Sequence, residues 1–196
     1  MEIVAKHNHA AVQEVLREAF KADPVMNWIC PDPRFVPVLF SLLTPLYARC
    51  GLATLDSERT AACLWTPPGH ALRPGLTSLP DALRFLGLCG YPGMRRIRRF
   101  SSVSDACKPR EPFYYLFAIG VRDSAKGTGK GSAILKHSLQ LCDQQSRVAY
   151  LENSNEANLG FYQKHGFEVV DEVLMEADGP RVWLMARRPR EPLVTQ

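Results

Sequence analysis

The chain has 196 residues, a formal charge of +4, and 46% hydrophobic and 22% charged side chains. That composition fits one medium globular domain, excludes a chain dominated by disorder, and falls short of the basicity of a nucleic-acid binder. The longest uncharged apolar run, 35–48, is too short to cross a bilayer and contains two prolines, so no membrane partner is expected.

The opening "MEIVAKHNHAAV" lacks the basic-then-apolar order of a secretory signal. Six cysteines are scattered without a C-x-x-C pair, and the five histidines share no metal-ligand spacing. These features predict a cytoplasmic protein with reduced thiols used as small hydrophobes and no metal site.

Along the chain, residues 1–5 read as a short strand. Asn8 then reads as the cap of a helix whose apolar positions (Val12, Val15, Leu16, Ala19, Phe20) follow helical spacing. "ADP" at 22–24 ends it, since the residue before proline avoids the helical region. A second helix is expected over about 34–49, bent at Pro37 and Pro45 and closed by Gly51. "LATLD" (52–56) and "TAACLWT" (60–66) predict a hairpin across "SER".

Residues 78–104 are helical in tendency, interrupted at "CGYPGM", and end in the basic run "RRIRRF" (95–100). A run of that kind usually forms the solvated face of a helix, although it can also steer an anionic substrate. "FYYLFAIGV" (113–121) predicts a strand buried on both faces. In 132–145, Ile134, Leu135, Ser138, Leu139 and Cys142 share one helical face. A strand at 148–153, a short helix near 156–164 and strands around "FEVVDEVLM" and "RVWLMAR" complete a mixed α/β sheet, with a parallel pair at 115–121 and 148–153.

Between the strand ending at 121 and the helix after it lies "RDSAKGTGKGS". Alternating glycines there allow positive φ and close approach of an anion to converging backbone amides, and a helix N-terminus adds its partial positive charge. Lys126 and Lys130 add screened attraction. The spacing is neither a Walker loop nor a dinucleotide fingerprint, because Gly131 stands where the first needs Ser or Thr and G-x-G-x-G replaces G-x-G-x-x-G.

Lys126-x-x-Gly129-x-Gly131 resembles the pyrophosphate loop of the GNAT acyl-CoA-dependent N-acetyltransferases, with Lys in place of the usual Gln or Arg. "LENSNEANLGFYQKHGFEVV" (151–170) resembles the element that follows in that family, with Asn155, Asn158, Phe161, Tyr162, Gly166 and Phe167 at the matching positions. The resemblance is clear over 113–188. Over 1–70, "AFKADPVMNW" and "LWTPPG" are similar to the puromycin-acetyltransferase-like branch, and no resemblance is read over residues 71–110.

The resemblance implies a single domain over 1–196 with a GNAT-like α/β fold. Its sheet would be mixed and mostly antiparallel with a splayed central parallel pair, helices on both faces and a helical substrate-side insertion at about 71–110. It implies acetyl-CoA as the acyl donor and CoA as product. Backbone groups of Ala118, Ile119 and Val121 would pair with pantetheine, and Lys126, Gly127, Thr128, Gly129, Lys130, Gly131 and Ser132 would hold the diphosphate. Asn155 or Asn158 would bond the pantetheine arm, though both also read as helix caps.

Tyr162 is the expected general acid. Glu152, at the end of the partner strand, is the carboxylate available as base, or else a structural strand-end group. His70, just past "TPPG", is placed toward a substrate cleft. The implied activity is acetyl transfer to a small-molecule amine, with a peptide or protein amine or a non-catalytic acyl-CoA sensor as rivals. A homodimer is the assembly to test.

Overall fold

The computed structural model describes residues 2–3, 8–49, 52–70, 79–177 and 179–190. Strands β1 (Glu2–Ile3), β2 (Ala53–Leu55), β3 (Ala61–Thr66), β4 (Phe113–Val121), β5 (Val148–Asn153), β6 (Glu168–Leu174) and β7 (Arg181–Arg187) form one seven-stranded sheet in the order β1-β2-β3-β4-β5-β7-β6. Every neighbouring pair is antiparallel except β4 and β5, which run parallel at the centre. The helices are α1 (His9–Phe20), α2 (Pro24–Ile29), α3 (Phe35–Arg49), α4 (Leu79–Cys107), α5 (Lys130–Gln144) and α6 (Leu159–Lys164).

The sheet separates two apolar cores. One holds Leu16, Phe40, Tyr47, Leu64, Tyr150 and Leu184 beneath α1 and α3; the other holds Cys63, Ile134, Leu135, Leu151 and Met185 beneath α5. Alternation along β3, β5 and β7 sends successive side chains to opposite cores, as the two-residue period of a strand requires. The expected helix face (Ile134, Leu135, Ser138, Leu139, Cys142) is the buried face of α5. Both faces of β4 are covered, as its sequence implies, but its odd-numbered positions keep part of their surface exposed.

Local chemistry sets several boundaries. The β2–β3 turn is held by Asp56, whose carboxylate accepts from Thr60 N at 2.6 Å, Ala61 N at 2.8 Å and the Thr60 hydroxyl at 2.9 Å. Gly120 lets α1 lie directly on β4, since a Cβ there would come within 2.7 Å of the Ala19 Cβ. "ADP" both ends α1 and starts α2, a helix absent from the sequence reading. Asp23 Oδ1 accepts from Met26 N at 2.9 Å and Pro24 occupies the first turn.

Asn8 departs from expectation. It is buried, its backbone is helical and its side chain makes no capping bond. The interruption expected at "CGYPGM" is a kink in α4, where Gly90 has φ 52° and ψ −167°. The closing position Gly51 lies outside the described residues, as do 71–78 of the expected insertion. The five described cysteines are all free. Among the described residues, no helix is long and apolar enough to cross a membrane, and no His/Cys/Asp/Glu cluster could hold a metal ion.

Candidate active site

The site begins where two strands part. β4 and β5 pair from Phe113↔Val148 to Leu116↔Leu151, and no pairing continues beyond that point. The separation coincides with a bulge in β4: Leu64 faces Ala118 and Trp65 faces Leu116, so Phe117 is the extra residue. A bulge sharpens local twist and turns subsequent side chains over. Accordingly Phe117 and Ala118, consecutive in sequence, both pack toward the α1–α3 core, whereas Ile119 and Val121 pack toward α5.

The gap is a groove of about 210 Å³. Its walls bring together the predicted Ala118, Ile119, Lys126, Glu152, Asn155, Asn158 and Tyr162, and add Lys21, Asp23, Asn153 and Ser154. Ile119 and Ala118 are bonded to β3 on one side only, leaving the other backbone edge facing the gap. Tyr162 enters from α6. Its hydroxyl has no hydrogen-bond partner among the described residues, and burial, with the Asp23 charge adding to it, pushes its pKa upward. The phenol therefore keeps its proton well into alkaline pH.

Beyond Lys126 the chain leaves the groove lining and makes the glycine turn. Gly127 (φ 78°) and Gly129 (φ 84°) adopt the left-handed conformation with open space beside them. Gly129 caps α5 without a side-chain bond, so the first α5 amides (Lys130, Gly131, Ser132) have no intrahelical acceptor. A Cβ on Gly131 would sit 3.2 Å from Val121 Cγ2 and 3.6 Å from the Phe161 ring, which fixes the turn against the end of β4 and the residue next to Tyr162.

This open, amide-rich helix start fits a diphosphate. Thr128 is engaged within the turn: its amide (3.4 Å) and hydroxyl (2.6 Å) both turn back to Ala125 O. The lysines are less free than their sequence implies. Lys126 pairs with Asp123 at 2.7 Å, and Lys130 is drawn to the β2–β3 turn by Glu58 and Asp56. Val121 pairs with Ala61 and is absent from the groove walls.

The two asparagines separate. Asn155 Oδ1 accepts from Ala157 N at 3.1 Å, the capping role, while Asn158 makes no capping bond; both residues line the groove. Asn153, buried and unpredicted, fixes this loop by donating to Asn155 O at 2.8 Å.

The Glu152 carboxylate accepts from no backbone N–H among the described residues. It accepts from the Ser104 and Tyr115 hydroxyls, and burial raises its pKa against the opposing effect of those bonds and of Lys108. It lies between the groove and a second cavity of about 380 Å³ beneath α4, on the α1–α3 side of the sheet. Asp23 also lines both cavities. Its pKa is raised by burial, and the Ser154 hydroxyl donates to it. The Asp-Pro pair signals a helix start in sequence, but only the fold brings it to the gap.

Two sequence expectations resolve differently. His70 lines a shallow hollow with Tyr114, Gln145 and Arg147, away from the groove, and its Nδ1 lies 3.1 Å from Pro68 O. In the basic run, Arg96 donates to Trp28 O at 2.6 Å and stacks on that ring at 5.6 Å. Arg99 donates to Met175 O at 3.3 Å, and Arg95 pairs with Glu176 at 3.2 Å. These arginines fasten α4 over the second cavity. Elsewhere, Asp143 holds the buried Arg187 guanidinium at 2.7 and 2.9 Å.

Residues 85–167 match the model of the Acetyltransferase (GNAT) family. The chain is 25% identical over 190 residues to an uncharacterised N-acetyltransferase of Schizosaccharomyces pombe, covering 89% of this chain and 77% of the relative. In fold it is similar to a histone acetyltransferase and related acetyltransferase from Corynebacterium glutamicum, with TM-score 0.70, 23% identity and coverage of 98% and 97% of the two chains. It is also similar to arylalkylamine N-acetyltransferase 2 from Aedes aegypti, with TM-score 0.70, 12% identity and coverage of 96% and 98%.

Proposed function

From the premise that the chain is a GNAT-type acetyltransferase in family signature and fold, we propose that it moves an acetyl group from acetyl-CoA to the primary amine of a small molecule. The observation that carries this reading is the parting of β4 and β5 after Leu116↔Leu151, with Tyr162 in the gap and an uncapped, glycine-opened helix start at its end.

Acetyl-CoA supplies the acyl group as an activated thioester. The free backbone edge at Ala118 and Ile119 is suited to pair with an extended amide chain as an added strand. The amides of Gly127, Gly129, Lys130, Gly131 and Ser132 are suited to the diphosphate, with Lys126 and Lys21 as screened cations nearby. Asn158 offers an amide side chain to the pantetheine arm. An Ile119 main-chain N–H polarises the thioester carbonyl.

Glu152 takes the proton that an incoming ammonium must lose, and its raised pKa suits that task better than an ordinary carboxylate would. The neutral amine nitrogen attacks the carbonyl carbon. The C–N bond forms, the C–S bond breaks, and the departing sulfur takes the Tyr162 proton. The amide nitrogen then gives up its remaining extra proton, which restores the phenol. The products are the N-acetylated amine, free CoA and one proton, which Glu152 returns to solvent.

Calorimetry with purified protein tests the first step: binding of acetyl-CoA and of CoA is expected, and absence of both removes the proposal. Thiol release with an amine panel tests the second. If binding occurs but no amine releases CoA, the non-catalytic sensor takes its place.

A further inference from the structure

The cavity beneath α4 has no assigned role, and its construction is specific. At about 380 Å³ it falls near the lower end of small-molecule pockets. It meets the groove at five shared residues: Phe20, Asp23, Phe117, Glu152 and Ser154. The two lining carboxyl groups that form no salt bridge among the described residues, Asp23 and Glu152, are therefore at the junction. The other two charged lining residues neutralise each other, Lys108 Nζ lying 2.6 Å from Asp105 Oδ1. Apart from that ion pair and the Ser101 and Ser104 hydroxyls, the walls away from the junction are largely apolar, with Ile29, Leu39, Leu43, Phe85, Ile97 and Phe100 contributed by three helices.

Resting on the N-acetyltransferase reading above, we propose that this chamber is the acceptor site and that it selects primary amines carried on one uncharged apolar body, aromatic or branched-aliphatic. The amine meets Asp23 and Glu152 at the junction, beside the thioester, and the body fills the space under α4. A polyamine would carry its second ammonium into the apolar end, where the one further lining carboxylate, Asp105, is already paired with Lys108 and does not compensate the lost hydration. A peptide would bury amide groups against walls with few partners for them.

The test measures kcat/KM by CoA release at saturating acetyl-CoA for 2-phenylethylamine, isoamylamine, spermidine and a tetrapeptide with a free N-terminus. The two apolar monoamines are expected to exceed the other two by on the order of 100-fold. Equal or reversed preference overturns the proposal. If no amine is turned over, the catalytic reading fails. The chamber is then judged by calorimetric binding to the CoA-loaded protein, where 2-phenylethylamine must bind more tightly than spermidine.

Two variants localise the effect. Ile97→Trp fills the chamber and is expected to raise KM for 2-phenylethylamine at least about tenfold, while calorimetric affinity for acetyl-CoA stays unchanged and confirms folding. An unchanged amine KM in that folded variant places the acceptor elsewhere. Phe100→Asp is expected to shift the spermidine to 2-phenylethylamine ratio toward spermidine.

Discussion

Individual side chains at the gap differ in how sharply their roles can be tested. Tyr162→Phe removes one hydroxyl whose loss leaves no protein group unpaired, so stability should hold while kcat falls about 100-fold with acetyl-CoA affinity retained. Glu152 gives a pH signature. Burial raises its pKa, so the carboxylate form populates only above its ordinary value of 4.5, and kcat/KM should rise with pH through that raised value. Glu152→Gln should lower kcat about 100-fold and flatten this acid limb. The linkage sign for stability is opposite: the folded state binds the proton more tightly than the unfolded chain does. Glu152 therefore makes wild-type stability decline as pH rises from 4.5 toward the folded value, a slope absent from the Gln variant.

At the scale of single elements, α5 and α4 serve different ligands in the proposed function. Gly129 holds φ 84° at the start of α5, so Gly129→Ala should cost about 1–2 kcal/mol in unfolding free energy. Displacing one charge-assisted amide bond should also weaken CoA binding about tenfold by calorimetry. α4 is tied down from outside the sheet, chiefly by Arg96 on Trp28 and Arg99 on Met175 O. Arg96→Ala should loosen the roof, raising the amine KM while the acetyl-CoA KM is unchanged; an equal effect on both would contradict the separation of the two cavities. The kink in α4 was legible in sequence because glycine and proline are strong breakers. The destination of its arginines was not, since a basic run reads alike whether solvated or anchored across 68 or 76 positions of chain.

For the molecule as a whole, the Asp143–Arg187 pair locks α5 to β7, the strand between β5 and the edge strand β6. Burial alone would raise the Asp143 pKa, but the Arg187 fork holds it below its ordinary value of 3.8. Its contribution is therefore present above pH 3.8 and lost as pH falls through the lower folded value. Arg187→Ala should cost about 3 kcal/mol in denaturant unfolding near neutral pH, and its deficit should shrink below pH 3.8. Periodicity, breakers and glycine spacing in the sequence alone determined the strands, the long helices, the central parallel pair and the glycine turn, because each depends on residues close together in the chain. Tertiary structure alone decided that Asp23 faces Tyr162, that Ser104 and Tyr115 bond Glu152, and that an apolar chamber opens onto the same gap. Those relations join residues 37 to about 140 positions apart, and they exist only once the Phe117 bulge parts β4 from β5 and α4 closes over the opening.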